Sequence, residues 1–266
     1  LMVHPSGSSH RLLPAIVLIA IFILLSNFFK KSQSRVNSEE ERRHPSAFTT
    51  IIVVTPTHKR PERLADMIRY GVPHVYLATT SSAGMPSRGW THRNVALQYV
   101  RENYDRNRSA VLYFADDDNT YDIRLFNNYI RKVTRIGVWA VGLVGGAWVE
   151  APHVSSGGKV IAWDVMFAPG RPFATDMAGF AINIRELFRA RKYILLFPSG
   201  ANVYICAKTY KQGPESCFLS QFGFKKEDLE PFGYNDYPKE ILVWHTRTSR
   251  SKTKGPKRGY AIESNN

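Results

Sequence analysis

Residues 111–122 read VLYFADDDNTYD. A run of strand-forming apolar residues stops at Asp116, Asp117 and Asp118. Three adjacent carboxylates repel one another, so their place at the end of a buried strand asks for a reason. An Asp-x-Asp pair can bring two carboxylates within reach of one cation, and aspartate oxygens suit Mg2+ or Mn2+. Such an ion would quench the repulsion and could in turn hold a diphosphate. The other reading is an exposed turn, since Asp and Asn both favour turns. Similar aspartates serve phosphatases, kinases and polymerases, so the cluster alone names no reaction.

Upstream of it, TTIIVVTPT (49–57) is a β-branched run closed by a proline turn, as expected of a strand buried on both faces of a parallel sheet. Pro61 opens a helix over PERLADMIRY (61–70), with Leu64, Met67 and Ile68 on one side. HVYLATT (74–80) reads as the next strand and SSAGMPSRGW (81–90) as a loop. Thr91 is placed to cap a helix over THRNVALQYVRENY (91–104). The first half thus alternates strand, helix, strand, helix, strand. That pattern predicts a doubly wound α/β sheet, whose ligands bind beyond the carboxyl ends of the strands. The three aspartates fall at such an end. The second half is mixed: strand-like VWAVGLVGGAWVE (138–150), KVIAWDVMF (159–167) and EILVWHTRT (240–248), with a helical INIRELFRARKYI (182–194).

Six further positions carry chemistry. Arg93 lies in the first turn of its helix, where backbone N–H groups also favour anions, and Arg88 shortly precedes it. Arginine suits bidentate contact with phosphate or carboxylate, although both could be plain surface residues. His245 and Arg247 stand two apart on one strand, so both can aim at a single anion or simply reach solvent. Glu215, after Gly213-Pro214, opens a helix whose apolar side is Phe218 and Leu219. A first-turn glutamate is also an ordinary helix-dipole partner. Asp176 precedes Ala178 and Gly179, small residues that permit close backbone approach, and reads equally as a turn residue.

The 266 residues carry a formal net charge of +14, with 44% hydrophobic and 12% aromatic residues. That suits one large domain and an acidic partner, whether nucleic acid, anionic lipid, phosphate-bearing small molecule or sulfated glycan. Much of the charge sits in KKSQSR (30–35) and RTSRSKTKGPKR (247–258), expected to be solvated chain. A nucleic-acid partner is disfavoured, because aromatic and basic residues do not interleave. The two cysteines, Cys206 and Cys217, make no CxxC or Cys/His cluster, which argues against zinc. Residues 12–29, LLPAIVLIAIFILLSNFF, are apolar and uncharged, long enough for a membrane-spanning helix. The polar stretch 30–48 reads as a stem and the folded domain as 49–266. Lys30, Lys31 and Arg35 follow the span while only Arg11 precedes it, so positive-inside counting would put the bulk in the cytosol. Asn107-Arg108-Ser109 is a glycosylation sequon, relevant only to a luminal domain.

In chain order, VVTPT, RGWTHRN, YFADDDNTYD, GLVGG, RPFATDMAGFA, PESCFL and VWHTRT resemble glycosyltransferase family 43, from about Ile51 to Thr248. These are the β1,3-glucuronosyltransferases of proteoglycan-linker and related glycan synthesis. The resemblance implies a GT-A fold, a Rossmann-like nucleotide half joined to a mixed-sheet acceptor half. It implies inverting transfer of glucuronate from UDP-glucuronate to a terminal galactose, with Mn2+. It also implies a homodimeric, single-pass type II protein of the Golgi membrane. Residues 1–11 would then be a cytosolic tail, 12–29 a signal anchor, 30–48 the stem and 49–266 a luminal catalytic domain, against the charge count.

Carried over position by position, the resemblance makes Asp118 the Mn2+ ligand, and Asp116 and Asp117 the contacts to uridine and ribose. Pro56 and Thr57 form the turn under the nucleotide. Arg88 and Arg93 surround the uronate and its donor, and His245 and Arg247 lie near the diphosphate. Glu215 is the catalytic base, with Glu150, Phe167, Arg171 and Asp176 on the acceptor side. Asn107 would carry the glycan.

The chain also departs from the pattern. Family members place another strand and helix before the HVYLATT strand, ending in a carboxylate that binds uracil. Here IRYG runs straight into VPHVYLATT, so the fold is expected to be shortened by one strand-helix unit, with HVYLATT closing up beside IIVVTPT. The acceptor-side tryptophan is Phe167, and His58 replaces a tyrosine. The segment before Glu215, FPSGANVYICAKTYKQ, is unusual. A catalytically inactive glycan-binding or scaffold subunit of the same lineage is the alternative.

Overall fold

The computed structural model describes residues 49–57, 73–79, 90–190, 213–246 and 253–262. Its strands are β1 (Thr50–Val54), β2 (Ala110–Phe114), β3 (Asn119–Tyr121), β4 (Ile136–Val138), β5 (Val141–Gly142), β6 (Val149–Val154), β7 (Val160–Asp164), β8 (Phe180–Asn183), β9 (Glu230–Pro231), β10 (Lys239–Glu240), β11 (Val243–His245) and β12 (Tyr260–Ala261). The helices used below are α1 (Trp90–Asn103), α2 (Ile184–Arg189) and α3 (Pro214–Ser220).

The core is built around β2, AVLYF, in which every residue is buried. Alternation along the strand divides its side chains between two apolar layers. Ala110, Leu112 and Phe114 join Leu97 and Val100 of α1, Leu187 of α2, and Phe218 and Leu219 of α3. Val111 and Tyr113 face the opposite way, with Leu125, Tyr129 and Trp139. The α1 helix turns a stripe inward at Arg93, Ala96, Leu97 and Val100, one face of a 3.6-residue period. A guanidinium therefore occupies the first position of an otherwise apolar stripe.

The central sheet runs β1-β2-β8-β4-β9. Strands β1 and β2 are parallel, Thr50 opposite Ala110 through Val54 opposite Phe114. The β2–β8 and β8–β4 pairs are antiparallel, and β4–β9 is parallel. The sheet is mixed rather than the expected doubly wound parallel one. Strands β2, β8 and β4 are buried at every residue, while β1 is half-covered, with Val53 40% exposed. A second sheet, β3-β11-β5-β6-β7, contains the β6–β7 hairpin and forms the other half.

Several sequence expectations are corrected. Residues 73–79 form no strand and pair with none, and Val75 and Tyr76 are 58% and 57% exposed. A strand ordered without burying its apolar residues lacks the term that offsets its entropy cost. The α1 helix already includes Trp90, so Thr91 lies inside it and is not its cap. The helix expected over 182–194 is limited, within the described residues, to α2, capped by Asn183, whose side chain accepts from Arg185 N–H. Part of the basic tail is not loose chain. Lys254 N–H donates to Gly146 O at 2.9 Å, Trp148 N–H to Lys254 O at 3.2 Å, and β12 pairs with β10 around the buried Tyr260. Among the described residues no helix is long and apolar enough to cross a membrane. The run 12–29 and the helix expected at 61–70 lie outside them.

Candidate active site

The acidic turn is where the two sheets meet. Ala115 N–H donates to Val54 O at 2.9 Å, tying the end of β2 to β1. Past the turn, β3 pairs antiparallel with β11, His245 opposite Asn119, and Thr246 N–H donates to Asp118 O at 3.0 Å. Backbone pairing alone thus brings His245 beside the aspartates. The side chains then diverge. Asp116 forms an ion pair with Arg93, the cation set into the α1 stripe. Asp117 Oδ2 accepts from the Thr57 hydroxyl at 3.0 Å, which sets the Pro56–Thr57 turn against the acidic turn. Asp118 is exposed. Burial pushes the Asp116 carboxyl up, the Arg93 charge and hydrogen bond pull it down, and the charges of Asp176 and Asp118 push it up again, leaving it above the usual range.

Asp176 caps the turn Met177–Gly179, its Oδ1 accepting from Ala178 N–H at 2.9 Å. A Cβ on Gly179 would lie 2.4 Å from Thr175 Oγ1, so the close approach read from the small residues is real. Asp176 Oδ1 also stands 3.3 Å from His245 Nε2. Burial disfavours the His245 cation, but its contact with Asp176 and the charges of Asp118 and Asp116 outweigh that and raise its pKa above 6.5.

Glu215 sits in the first turn of α3, behind Pro214, as its sequence position predicts. Its side chain is 16% exposed and lies 3.9 Å from Arg171 Nη1. Burial is the main reason its carboxyl is pushed up to about 7; the charge of Asp176 adds to this, while its own backbone N–H, Arg171 and Arg93 oppose it. Its proton equilibrium is thereby moved toward neutral pH. Ser216, not singled out from the sequence, is 1% exposed, and its hydroxyl accepts from Phe173 N–H at 3.2 Å, fixing α3 to the segment that carries Arg171 and Asp176. A hydroxyl buried in an apolar helix face was the available signal.

On the other side of Arg171 lies an aromatic platform. Its guanidinium sits 5.1 Å from the centre of the Phe167 ring and donates to the Phe167 and Ala168 carbonyls. Phe167 is 54% exposed, leaving the ring available for stacking. Glu150 is buried and accepts from Met166 N–H at 3.3 Å; burial pushes its carboxyl up, while backbone N–H bonds from Met166 and Phe167 and the charge of Arg171 oppose it.

The structure thus links Pro56, Thr57, Arg93, Asp116, Asp117, Asp118, Asp176, His245, Glu215, Arg171, Phe167 and Glu150 through a chain of contacts and charge interactions. Arg88 and Arg247 lie outside the described residues. Asn107 stands apart, exposed in the loop between α1 and β2. Cys217 is disulfide-bonded, and Cys206 lies outside the described residues.

A carboxylate turn at the end of parallel strands, paired with a guanidinium and set near an imidazole, with a mostly buried glutamate beside an arginine that stacks on an open aromatic ring, is the arrangement of a group-transfer enzyme on an α/β scaffold. The chain belongs to glycosyltransferase family 43, whose family model matches residues 47–249. It is similar to the human galactosylgalactosylxylosylprotein 3-beta-glucuronosyltransferase 1, 34% identical over 245 residues covering 76% of this chain and 70% of that protein. It is similar to enzyme 2 of that name from Canis lupus familiaris, 32% identical over 263 residues, 83% of this chain and 74% of the relative. A third relative is the Caenorhabditis elegans galactosylgalactosylxylosylprotein 3-beta-glucuronosyltransferase sqv-8, 37% identical over 165 residues, 62% of this chain and 43% of the relative.

Proposed function

We propose that the chain transfers glucuronate from UDP-glucuronate to the hydroxyl of a terminal galactose, with inversion at the sugar. The observation that carries this is Glu215, a mostly buried carboxylate with a pKa of about 7, charge-coupled to Arg93 on the acidic-turn side and to Arg171 beside Phe167. Its ionised form takes the proton of the acceptor hydroxyl as that oxygen bonds to the anomeric carbon. The bond from that carbon to the diphosphate breaks, and UDP leaves with the electron pair. One displacement inverts the centre, and no covalent nucleophile is needed. Phe167 offers a stacking face to the galactose, and Glu150 and Asp176 offer acceptors to its hydroxyls. His245 and Arg247 donate to the departing diphosphate. Arg88 and Arg93 select the uronate carboxylate over a neutral sugar.

Mn2+ fits the acidic turn in one way only. Among the described residues no group of three metal-binding side chains exists. Asp116 is engaged by Arg93 and Asp117 by Thr57, which leaves the exposed Asp118. Hard divalent ions are commonly held by one or two carboxylates together with substrate phosphates, and Asp118 matches that donor set. When bound, such an ion would act as a Lewis acid toward the diphosphate.

The proposed protein is a Golgi type II membrane enzyme, a reading supported by the apolar run 12–29 and the exposed sequon, and the homodimer is proposed from the family resemblance alone. The same reading gives it a shortened nucleotide half. An alignment of 245 positions that takes in only 76% of a 266-residue chain must open gaps in it, and residues 73–79 form no strand. That shortening favours the second reading, an inactive glycan-binding subunit. The test is the full chain with radiolabelled UDP-glucuronate, Mn2+ and a galactose-terminated disaccharide. Labelled trisaccharide is expected, and Glu215→Ala should abolish it. Folded protein that binds the disaccharide without turnover sinks the enzyme reading in favour of the second.

A further inference from the structure

Two interactions converge on one oxygen, Asp176 Oδ1. The Ala178 N–H donates to it at 2.9 Å, which fixes the carboxylate to the backbone. His245 Nε2 lies 3.3 Å from the same oxygen, within ion-pair distance. That nitrogen is buried at the atom level, yet it is off the line a hydrogen bond needs and has no hydrogen-bond partner among the described residues. The carboxylate is the fixed member of the pair, because it caps a turn. A buried N–H in a bent contact will prefer any acceptor that offers it a straight one.

On the function proposed above, on which this inference rests, the two side chains serve different substrates: His245 a donor phosphate, Asp176 an acceptor hydroxyl. A phosphate oxygen gives an imidazole a shorter, charge-assisted bond. Drawing the ring toward phosphate takes it off Asp176. The carboxylate keeps its Ala178 bond and regains an open lone pair for a sugar hydroxyl. We propose that the Asp176–His245 contact couples the two substrate sites: a diphosphate that engages His245 releases Asp176 for the acceptor, so each substrate raises the affinity for the other. Asp176 is then an acceptor contact that, until the donor arrives, competes with phosphate for His245. The coupling is reciprocal by linkage, so its size must be the same measured from either side.

The experiment is calorimetry on the full chain in detergent, with Mn2+, using UDP and a galactose-terminated disaccharide, so that no turnover occurs. Saturating UDP should tighten disaccharide binding by about tenfold, and saturating disaccharide should tighten UDP by the same factor. In His245→Ala, disaccharide should bind about as tightly without UDP as the wild type does with it, and added UDP should change nothing. Asp176→Asn keeps an oxygen for the Ala178 N–H; it should bind UDP at least as well as wild type and show no coupling. Because the two variants remove opposite ends of the contact, a fold defect in one leaves the other decisive. UDP binding with an unchanged disaccharide affinity in the wild type overturns the coupling alone, as does coupling that survives in either variant. Wild-type protein that binds no UDP overturns the function and the coupling together.

Discussion

At the scale of single residues, the site is a set of paired charges whose balance is set by burial. Glu215 is the sharpest case, with a carboxyl at about 7 instead of 4.5. A base must be ionised to accept a proton, so kcat/KM should climb with pH through about 7 and level above it. A profile flat from pH 5 to 8 would remove Glu215 from that role. Stability should move the other way. Between about 4.5 and 7 the folded state holds a proton that the unfolded chain has released, so folding free energy is lost as pH rises across that window, on the order of 3 kcal/mol. Thermal unfolding of Glu215→Gln across the same range should lack that loss. Asp118, exposed and at the lip of the turn, makes a contrasting prediction. Asp118→Ala should leave the melting temperature near wild type, since exposed substitutions cost within about 0.5 kcal/mol. It should lower Mn2+-dependent UDP binding at least tenfold by calorimetry; unchanged binding rules out the ligand role. The acidic turn and the place of Glu215 at a helix start were legible from local pattern, while the roles proposed for them came from the family resemblance. Their partners were not legible. Arg93 reaches Asp116, and Asp176 reaches His245, only because helix packing and strand register bring distant positions together.

At the scale of elements, short pieces hold these residues in place. Glu215 depends on how α3 begins. Gly213 stands at φ +74°, ψ 150°, a region other residues occupy at a cost of about 1–3 kcal/mol. A Cβ there would also lie 2.6 Å from Arg171 Nη1 and 2.9 Å from Glu215 Oε2. Gly213→Ala should therefore lower the melting temperature by several degrees and reduce kcat well beyond what the lost stability removes, because it displaces the base and its cation together. Wild-type kcat in that variant would show that the start of α3 does not position Glu215. The Gly-Pro-Glu order made this helix start readable, as Pro at the first helical position and Glu in the first turn agree. The burial of Arg93 was not read, since a surface arginine fitted the sequence equally well, although its helical spacing from Ala96, Leu97 and Val100 carries it. The direction of β8 and β4 was not, because apolar runs look alike in parallel and antiparallel ladders. It emerges only from pairing, Val111 with Asn183 and Ile136 with Ile182.

At the scale of the whole molecule, strand propensity and tertiary support disagree at residues 73–79. The segment holds Val75, Tyr76 and Leu77, good strand formers, yet Val75 and Tyr76 are more than half exposed and no ladder includes them. β-propensity reports fit to a pleated, half-buried surface, and without that surface the preference has little to act on. Strand β2 differs in every respect, with β1 on one edge, β8 on the other and apolar layers on both faces. Amide exchange should separate the two. Peptides from 110–114 should exchange only through global unfolding, whereas those from 73–79 should exchange orders of magnitude faster, near the rate of solvent-accessible backbone. Protection over 73–79 equal to that of β2 would mean the segment is a sheet strand, as its composition suggests, and that the nucleotide half is more complete than described. Repeating the measurement with UDP and Mn2+ adds a second contrast. Contacts from Asp116, Asp117 and Thr57 should slow exchange where β1 and β2 end, while a segment that forms no wall of the nucleotide site stays fast. If UDP slowed 73–79 as well, that segment would be closing over the base and the proposal of a shortened nucleotide half would fall.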